Sequence, residues 1–295
     1  MKFKDYAEKW LELKKLTITP TSYQRYRAEI NRLNGTFGQT ELNDIDSAAI
    51  QKFINSLSAA RSPKTVKSCI TQFKSMLRDA EADELRQPKI LRLKLPREKK
   101  KEYKVLSEDD FKKLYDYCVK DKSWAATAIL ITMQTGLRIG EMCGLQWRDI
   151  DFENRIIHIT KSVKTYSDEN HRYHCEIGCT KTFSSQRDIY LSAAFAGTLK
   201  DRYSGQLLTD YVICGEQPRN PRLLGDHYTK ILKSLDIPHI PFHALRHGFA
   251  TRAIEKGVDP RTVAEFLGHS SCALTLNIYT SCTAKMKAAA SEIIM

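Results

Sequence analysis

Nowhere in its 295 residues does the chain carry an apolar run approaching the length of a membrane span. It also lacks the short basic-then-apolar opening of an export signal, since Met1-Lys2-Phe3-Lys4-Asp5 leads into an amphipathic stretch. Cysteine is present at eight positions (69, 118, 143, 175, 179, 214, 272 and 282), but these are scattered and several lie in apolar runs. That is not a disulfide framework, and reduced thiols in a cytoplasmic, nucleoid-associated protein are the economical reading. There is no internal repeat, no low-complexity tract and no strand–helix alternation that would build a parallel sheet. A metal-ligand set is missing too. His171, His174, Cys175 and Cys179 lie close together, but their spacing matches no common structural zinc site. On an alternating strand His174 and Cys175 would face opposite ways. No metal and no other cofactor is expected.

What the chain has in excess is positive charge, 47 Lys and Arg against 35 Asp and Glu, for a net +12. Residues 1–96 hold 18 basic and 11 acidic residues, a net +7, which leaves +5 for the rest. A polyanion lying against both halves accounts for this distribution, and such binding weakens steeply with salt.

Hydrophobic spacing marks helices at 1–18, 21–34, 46–57 and 63–83, a small bundle with lysine-bearing outer faces. Asn34-Gly35 and Gly38 are expected to end the second helix, and Arg61, Lys64, Lys67 and Lys74 to lie along DNA. Residues 87–104 hold two prolines and the run Lys99-Lys100-Lys101, a basic linker suited to crossing a DNA backbone. Beyond it, helices are expected at 107–119, 123–135 and 138–146, then strands at 155–159, 171–177 and 186–191. Helices resume at 193–203, 222–235, 243–256, 260–267 and 271–289. Helices, one small three-stranded sheet and helices again make a mainly α, α+β domain.

The chemistry is concentrated in Pro241-Phe242-His243-Ala244-Leu245-Arg246-His247, Leu267-Gly268-His269 and Ile278-Tyr279-Thr280. Upstream, Thr135-Gly136-Leu137-Arg138-Ile139-Gly140-Glu141 places a second arginine at a helix start. Two guanidinium forks suit the non-bridging oxygens of a phosphate transition state. His243 and Arg246, three residues apart, share one helical face. A tyrosine can attack phosphorus once nearby cations and a base assist its phenol, whose ordinary pKa is about 10. These parts point to DNA strand breakage and rejoining.

In these motifs the sequence resembles the tyrosine recombinase (phage integrase) family, marked by T-G-[LM]-R, a hairpin lysine, H-x-x-R, G-H and a tyrosine. The matching positions are Arg138, Lys181, His243, Arg246, His269 and Tyr279. The opening Phe3–Trp10 is similar to the helical core-binding domain of integrases. The resemblance implies an α-helical core DNA-binding bundle at 1–86, a linker at 87–104, and a catalytic domain with a small antiparallel sheet at 105–295. It makes Tyr279 the nucleophile of a 3′-phosphotyrosyl intermediate and Lys181 the acid for the leaving 5′-oxygen. Arg138 and Arg246 become phosphate ligands, and His243 and His269 acid–base or hydrogen-bonding groups, with Glu141 supporting them. Neither ATP nor a divalent metal is required. Double-stranded core sites, a homo-tetramer synapsed on DNA and accessory DNA-bending or directionality proteins are the implied partners. The expected role is integration or excision of a mobile element. The alternatives are an Xer-type dimer resolvase, a type IB topoisomerase and a catalytically silent DNA-binding protein. Because the first helix begins at residue 3, no arm-site-binding domain is expected ahead of it unless one was trimmed.

Overall fold

The computed structural model describes residues 1–98, 105–167, 173–179 and 186–269, with the side chains of Ser167 and Cys179 excepted. It separates into two compact units, Met1–Lys101 with Tyr166–Arg172, and Glu102–Thr165 with Tyr173–Met295.

The first unit is built on four helices: α1 (Phe3–Lys15), α2 (Pro20–Phe37), α3 (Ser47–Ala60) and α4 (Pro63–Ala82). Thr19, Asp46 and Ser62 cap the last three, each side-chain oxygen accepting from a backbone N–H three residues on. Proline at the first position of α2 and α4 supplies the fixed φ a helix start favours. Phe3, Phe37, Phe53 and Phe73 meet edge-on or tilted at ring separations of 5.1–6.2 Å and form the centre of the core. This explains one departure from expectation. The second helix runs past Asn34-Gly35 to Phe37 and ends at Gly38, the last of the expected terminators, because burying Phe37 outweighs the modest helix cost of a glycine.

The segment expected to be a linker is extended through residue 98, yet it does not hang free. Asn43, Ser47 and Gln51, spaced four apart, accept from the backbone N–H groups of Gln87, Arg92 and Lys94. Leu91 and Leu93 turn inward onto the helical core, while Arg92 and Lys94 point out. Period-two alternation thus lays a strap against α3.

In the second unit, α5 (Glu108–Lys120) begins at a Ser107 cap and packs on α6 (Trp124–Thr135). Helix α6 is apolar on all sides and forms the buried centre of the unit. It stops at Gly136, whose φ of +66° is left-handed. The short α7 (Ile139–Gly144) follows.

Next come β1 (Ile150–Asp151), β2 (Ile156–Ile159), β3 (Lys161–Ser167), β4 (Tyr173–Cys179) and β5 (Arg187–Tyr190). An antiparallel three-stranded sheet is present, in the order β1-β2-β5, but its membership differs from expectation. The run at 171–177 contributes β4, which pairs with β3 in a separate two-stranded sheet. Strand β1 supplies the third member. Two residues are too few to alternate visibly, and the lysines of Lys161–Ser167 obscure its pattern. Helices α8 (Ala193–Lys200), α9 (Pro221–Ser234), α10 (His243–Glu255) and α11 (Pro260–Leu267) complete the described unit. The core gathers Ile129, Trp147, Ile157, Ile189, Leu224 and Tyr228, all fully or nearly fully buried. The expected helix at 271–289 lies outside the described residues. Among those described, no helix is long and apolar enough to cross a membrane.

Candidate active site

The site forms at the C-terminal end of α11. A helix leaves its last carbonyls without intrahelical partners, and that end carries the negative pole of the helix dipole. Gly268, at φ +64°, closes α11 in the left-handed conformation. Three successive carbonyls there accept from three arginines. Phe266 O takes Arg187 Nε at 2.7 Å, Leu267 O takes Arg246 Nη2 at 2.7 Å, and Gly268 O takes Arg138 Nη2 at 2.8 Å. A fourth carbonyl, Gly136 O at the end of α6, accepts from Arg246 Nη1 at 2.9 Å. Both helix-ending glycines are tightly enclosed. A Cβ on Gly136 would lie 2.5 Å from Leu267 Cδ2, and one on Gly268 would lie 3.1 Å from Arg187 Cδ.

Among the described residues, Glu141 is the one carboxylate seen hydrogen-bonded to these arginines. Its side chain is 2% exposed, and its oxygens accept from Arg138 N (2.9 Å), Arg138 Nη1 (2.6 Å), Arg187 Nη1 (3.1 Å) and Arg187 Nη2 (2.9 Å). Burial alone would push this carboxyl up. The hydrogen bonds and charges of Arg187 and Arg138 outweigh burial and hold it below the usual range.

Three guanidinium groups against one carboxylate leave net positive charge at the site. The two arginines of the motifs differ in access: Arg246 is 2% exposed, whereas the Arg138 side chain is 36% exposed. Burial, reinforced by the charge of Arg138, pushes the Arg246 guanidinium down to about 9. His243 opens α10 and stands 4.6 Å, ring to ring, from His247 on the next turn. Desolvation, then the charges of His247, Arg246 and Arg138, lower it to about 4, although the residue as a whole is exposed. His269, just past Gly268, is lowered to about 4 by burial and by Arg246 and Arg138. Both imidazoles are therefore neutral at pH 7 and can either donate a hydrogen bond or take a proton.

The structure thus gathers Arg138, Glu141, His243, Arg246 and His269 of the residues expected at the site. Lys181 and Tyr279 lie outside the described residues, as do Lys99, Lys100 and Lys101. In the first unit, Arg61 and Lys64 are exposed around the start of α4, while Lys67 pairs with Glu98 at 3.2 Å and Lys74 is half-buried. Sequence reasoning missed Arg187. A signal was available, because Arg187 and Ile189 are two apart on β5 and Ile189 is fully buried. The register Ile157↔Ile189, His158↔Asp188, Ile159↔Arg187 puts the middle pair outward and Arg187 inward.

With this geometry established, comparison with known proteins is informative. Residues 104–286 match the Phage integrase family, and residues 2–58 match its N-terminal SAM-like domain. A XerC-like tyrosine recombinase of Caldanaerobacter subterraneus subsp. tengcongensis is 30% identical over 322 residues, covering 98% of this chain and 82% of the relative. The transposase of transposon Tn916 from Enterococcus faecalis is 31% identical over 198 residues, 61% of this chain. The match covers 48% of that transposase, so the chain spans about half the length of this relative. In fold, the chain is similar to the Tn1549 transposon integrase solved with transposon right-end DNA, at a TM-score of 0.80 and 20% identity, covering 99% of this chain and 98% of that one.

Proposed function

The chain belongs to the phage integrase family of tyrosine recombinases, and on that premise we propose that it breaks and rejoins DNA at specific core sites during integration and excision of a mobile element. In this reading residues 1–86 bind the core site, 87–104 link, and 105–295 carry the chemistry. The observation that supports it most is the convergence of Arg138, Arg246 and His269 on one helix end, with Arg138 and its acceptor Gly268 130 residues apart in sequence.

Arg138 and Arg246 hold the non-bridging oxygens of the scissile phosphate, stabilising the developing charge by about 3–4 kcal/mol each. The Tyr279 phenol oxygen attacks phosphorus and passes its proton to a neighbouring base, for which neutral His243 and His269 are suited. The bond from phosphorus to the 5′-oxygen breaks, Lys181 protonates that oxygen, and a 3′-phosphotyrosyl bond remains. A 5′-hydroxyl from the partner strand then reverses the step. One phosphodiester bond is exchanged for another, so the exchange is close to energy-neutral and needs no ATP or divalent metal. Exchange between two duplexes uses four such sites, hence a homo-tetramer on DNA, with bending or directionality proteins as accessories. A second reading, an Xer-type dimer resolvase, is favoured by the match to the XerC-like relative over 98% of the chain. Plasmids carrying two directly repeated native sites, compared with integration of a circular donor, separate the two roles.

The chemistry is tested by trapping on a nicked DNA suicide substrate bearing native core sites, with a chelator present. Wild type is expected to give a denaturant-resistant adduct and Tyr279→Phe none. An adduct that survives the substitution would show that another nucleophile acts. Its absence from wild type bound to that DNA would make the protein a silent binder.

A further inference from the structure

Arg187 belongs to no motif discussed above, yet among the described residues its side chain makes at least three of the site's hydrogen bonds, where those of Arg138 and Arg246 each make two. Three of the about five donors of Arg187 are committed to Glu141 and Phe266, so it has fewer left for a bound phosphate than Arg138 or Arg246. We propose that Arg187 is a positioning residue for strand cleavage. Through the Glu141 carboxylate it fixes the guanidinium of Arg138, and through the Phe266 carbonyl it fixes the end of α11 that carries Gly268 and His269. This rests on the reading in which Arg138 holds the scissile phosphate.

A carboxylate offers about four acceptor positions, and Glu141 has four donors, two from Arg138 and two from Arg187. Removing Arg187 leaves a carboxylate that is 2% exposed with half its donors gone. It must then turn away or take a proton, and either change loosens the charge-assisted bond that aims Arg138. A lysine cannot replace the arrangement, because one planar fork serves both carboxylate oxygens while its Nε reaches a different element.

The groups facing Glu141 among the described residues are Arg138 at the start of α7, Arg187 on β5, and His243 and Arg246 on α10. Arg187 is first among those that oppose the upward push of burial on this carboxyl. Without it Glu141 titrates at higher pH, and the cleavage rate acquires an acid limb that wild type lacks. A side chain that only held the fold together would not produce that limb.

The test is single-turnover cleavage of the nicked substrate at saturating DNA between about pH 5.5 and 8.5. Wild type is run beside Arg138→Gln, Arg187→Gln, Arg187→Lys and the double variant Glu141→Gln/Arg187→Gln. Arg187→Gln is expected to cleave about 100-fold more slowly at neutral pH with DNA Kd unchanged, and to lose further rate as pH falls. Arg187→Lys should fall between. The double variant, with no carboxylate left to protonate, should lose the acid limb while remaining slow. Wild-type rates and profile in Arg187→Gln, or a uniform loss at every pH matched by weaker DNA binding, would overturn the proposal. Should Arg187→Gln not fold, Arg187→Lys carries the same decision: slow cleavage with an acid limb supports it, and a wild-type profile overturns it. Cleavage by Arg138→Gln at the wild-type rate would instead withdraw the phosphate reading, and this proposal with it.

Discussion

Of the helix ends in the second unit that receive arginines, those of α5 and α11 do opposite things. At the C-terminus of α5, Arg202 donates to Cys118 O, Val119 O, Asp121 O and Thr127 Oγ1, spending four hydrogen bonds on one buried side chain. Of the about five donors a guanidinium owns, almost none remain. At the C-terminus of α11, Arg138 and Arg246 each donate two side-chain hydrogen bonds. The same device, orphan carbonyls taking guanidinium groups, makes a staple in one place and the proposed anion site in the other. What decides is how many donors are left over.

The largest effect that would break this comparison concerns turnover. Arg246→Gln should slow strand cleavage by about 100- to 1000-fold while costing less stability than Arg202→Gln, since it strands two carbonyls where Arg202→Gln strands four acceptors. Cleavage kinetics and urea unfolding on the same preparation decide it. A stability loss as large as that of Arg202→Gln would make Arg246 a second staple. Arg202→Gln itself should cost about 3 kcal/mol by stranding several buried acceptors, with the cleavage rate of folded molecules unchanged.

A smaller effect separates a helix-ending glycine from one in an open turn. Gly136→Ala should lose more than the roughly 1–2 kcal/mol that the left-handed conformation costs, because its Cβ would lie 2.5 Å from Leu267 and 2.9 Å from Phe249. Gly215→Ala, at φ +71° with nothing within 4 Å, should lose only the conformational part. Equal losses in thermal unfolding would mean that α11 yields easily.

The smallest effect is on pH dependence. An unfolded histidine takes a proton at about 6.5, whereas His269 and His243 wait until about 4. Between those values the unfolded chain binds more protons, so stability falls as pH drops from about 7 toward about 4. His243 reaches solvent and should contribute less than His269. Urea midpoints across that range should show a shallower slope in His269→Asn, and an unchanged slope would count against a depressed His269.

Much of the site was legible because its parts recur at fixed spacing along the chain. The arginines, the histidines and Glu141 come from short motifs whose residue types match phosphate chemistry. Their acceptors were not legible, because a carbonyl has no letter of its own and Arg138 finds one 130 residues away. Arg187 had a legible orientation from its alternation with Ile189, but nothing local said what lay on that face. In the fold, caps such as Thr19, Asp46 and Ser62 announced their helices. The end of α2 did not show, since the pull of Phe37 comes from Phe3, Phe53 and Phe73 on three other helices. The strap on α3 was hidden for the same reason: Asn43, Ser47 and Gln51 reveal their role only once residues 87–94 lie beside them.

The end of α11 also bears on how such a site withstands mutation. Its three acceptors belong to the main chain, so substitution at Phe266 or Leu267 cannot delete them. Successive peptide units are spaced by covalent geometry, about 3.8 Å between α-carbons, whatever side chains they carry. The distances among the three cations are thus copied from a ruler that every sequence shares. Side chains along that helix decide how it packs, but the acceptors persist so long as it stops where Gly268 stops it.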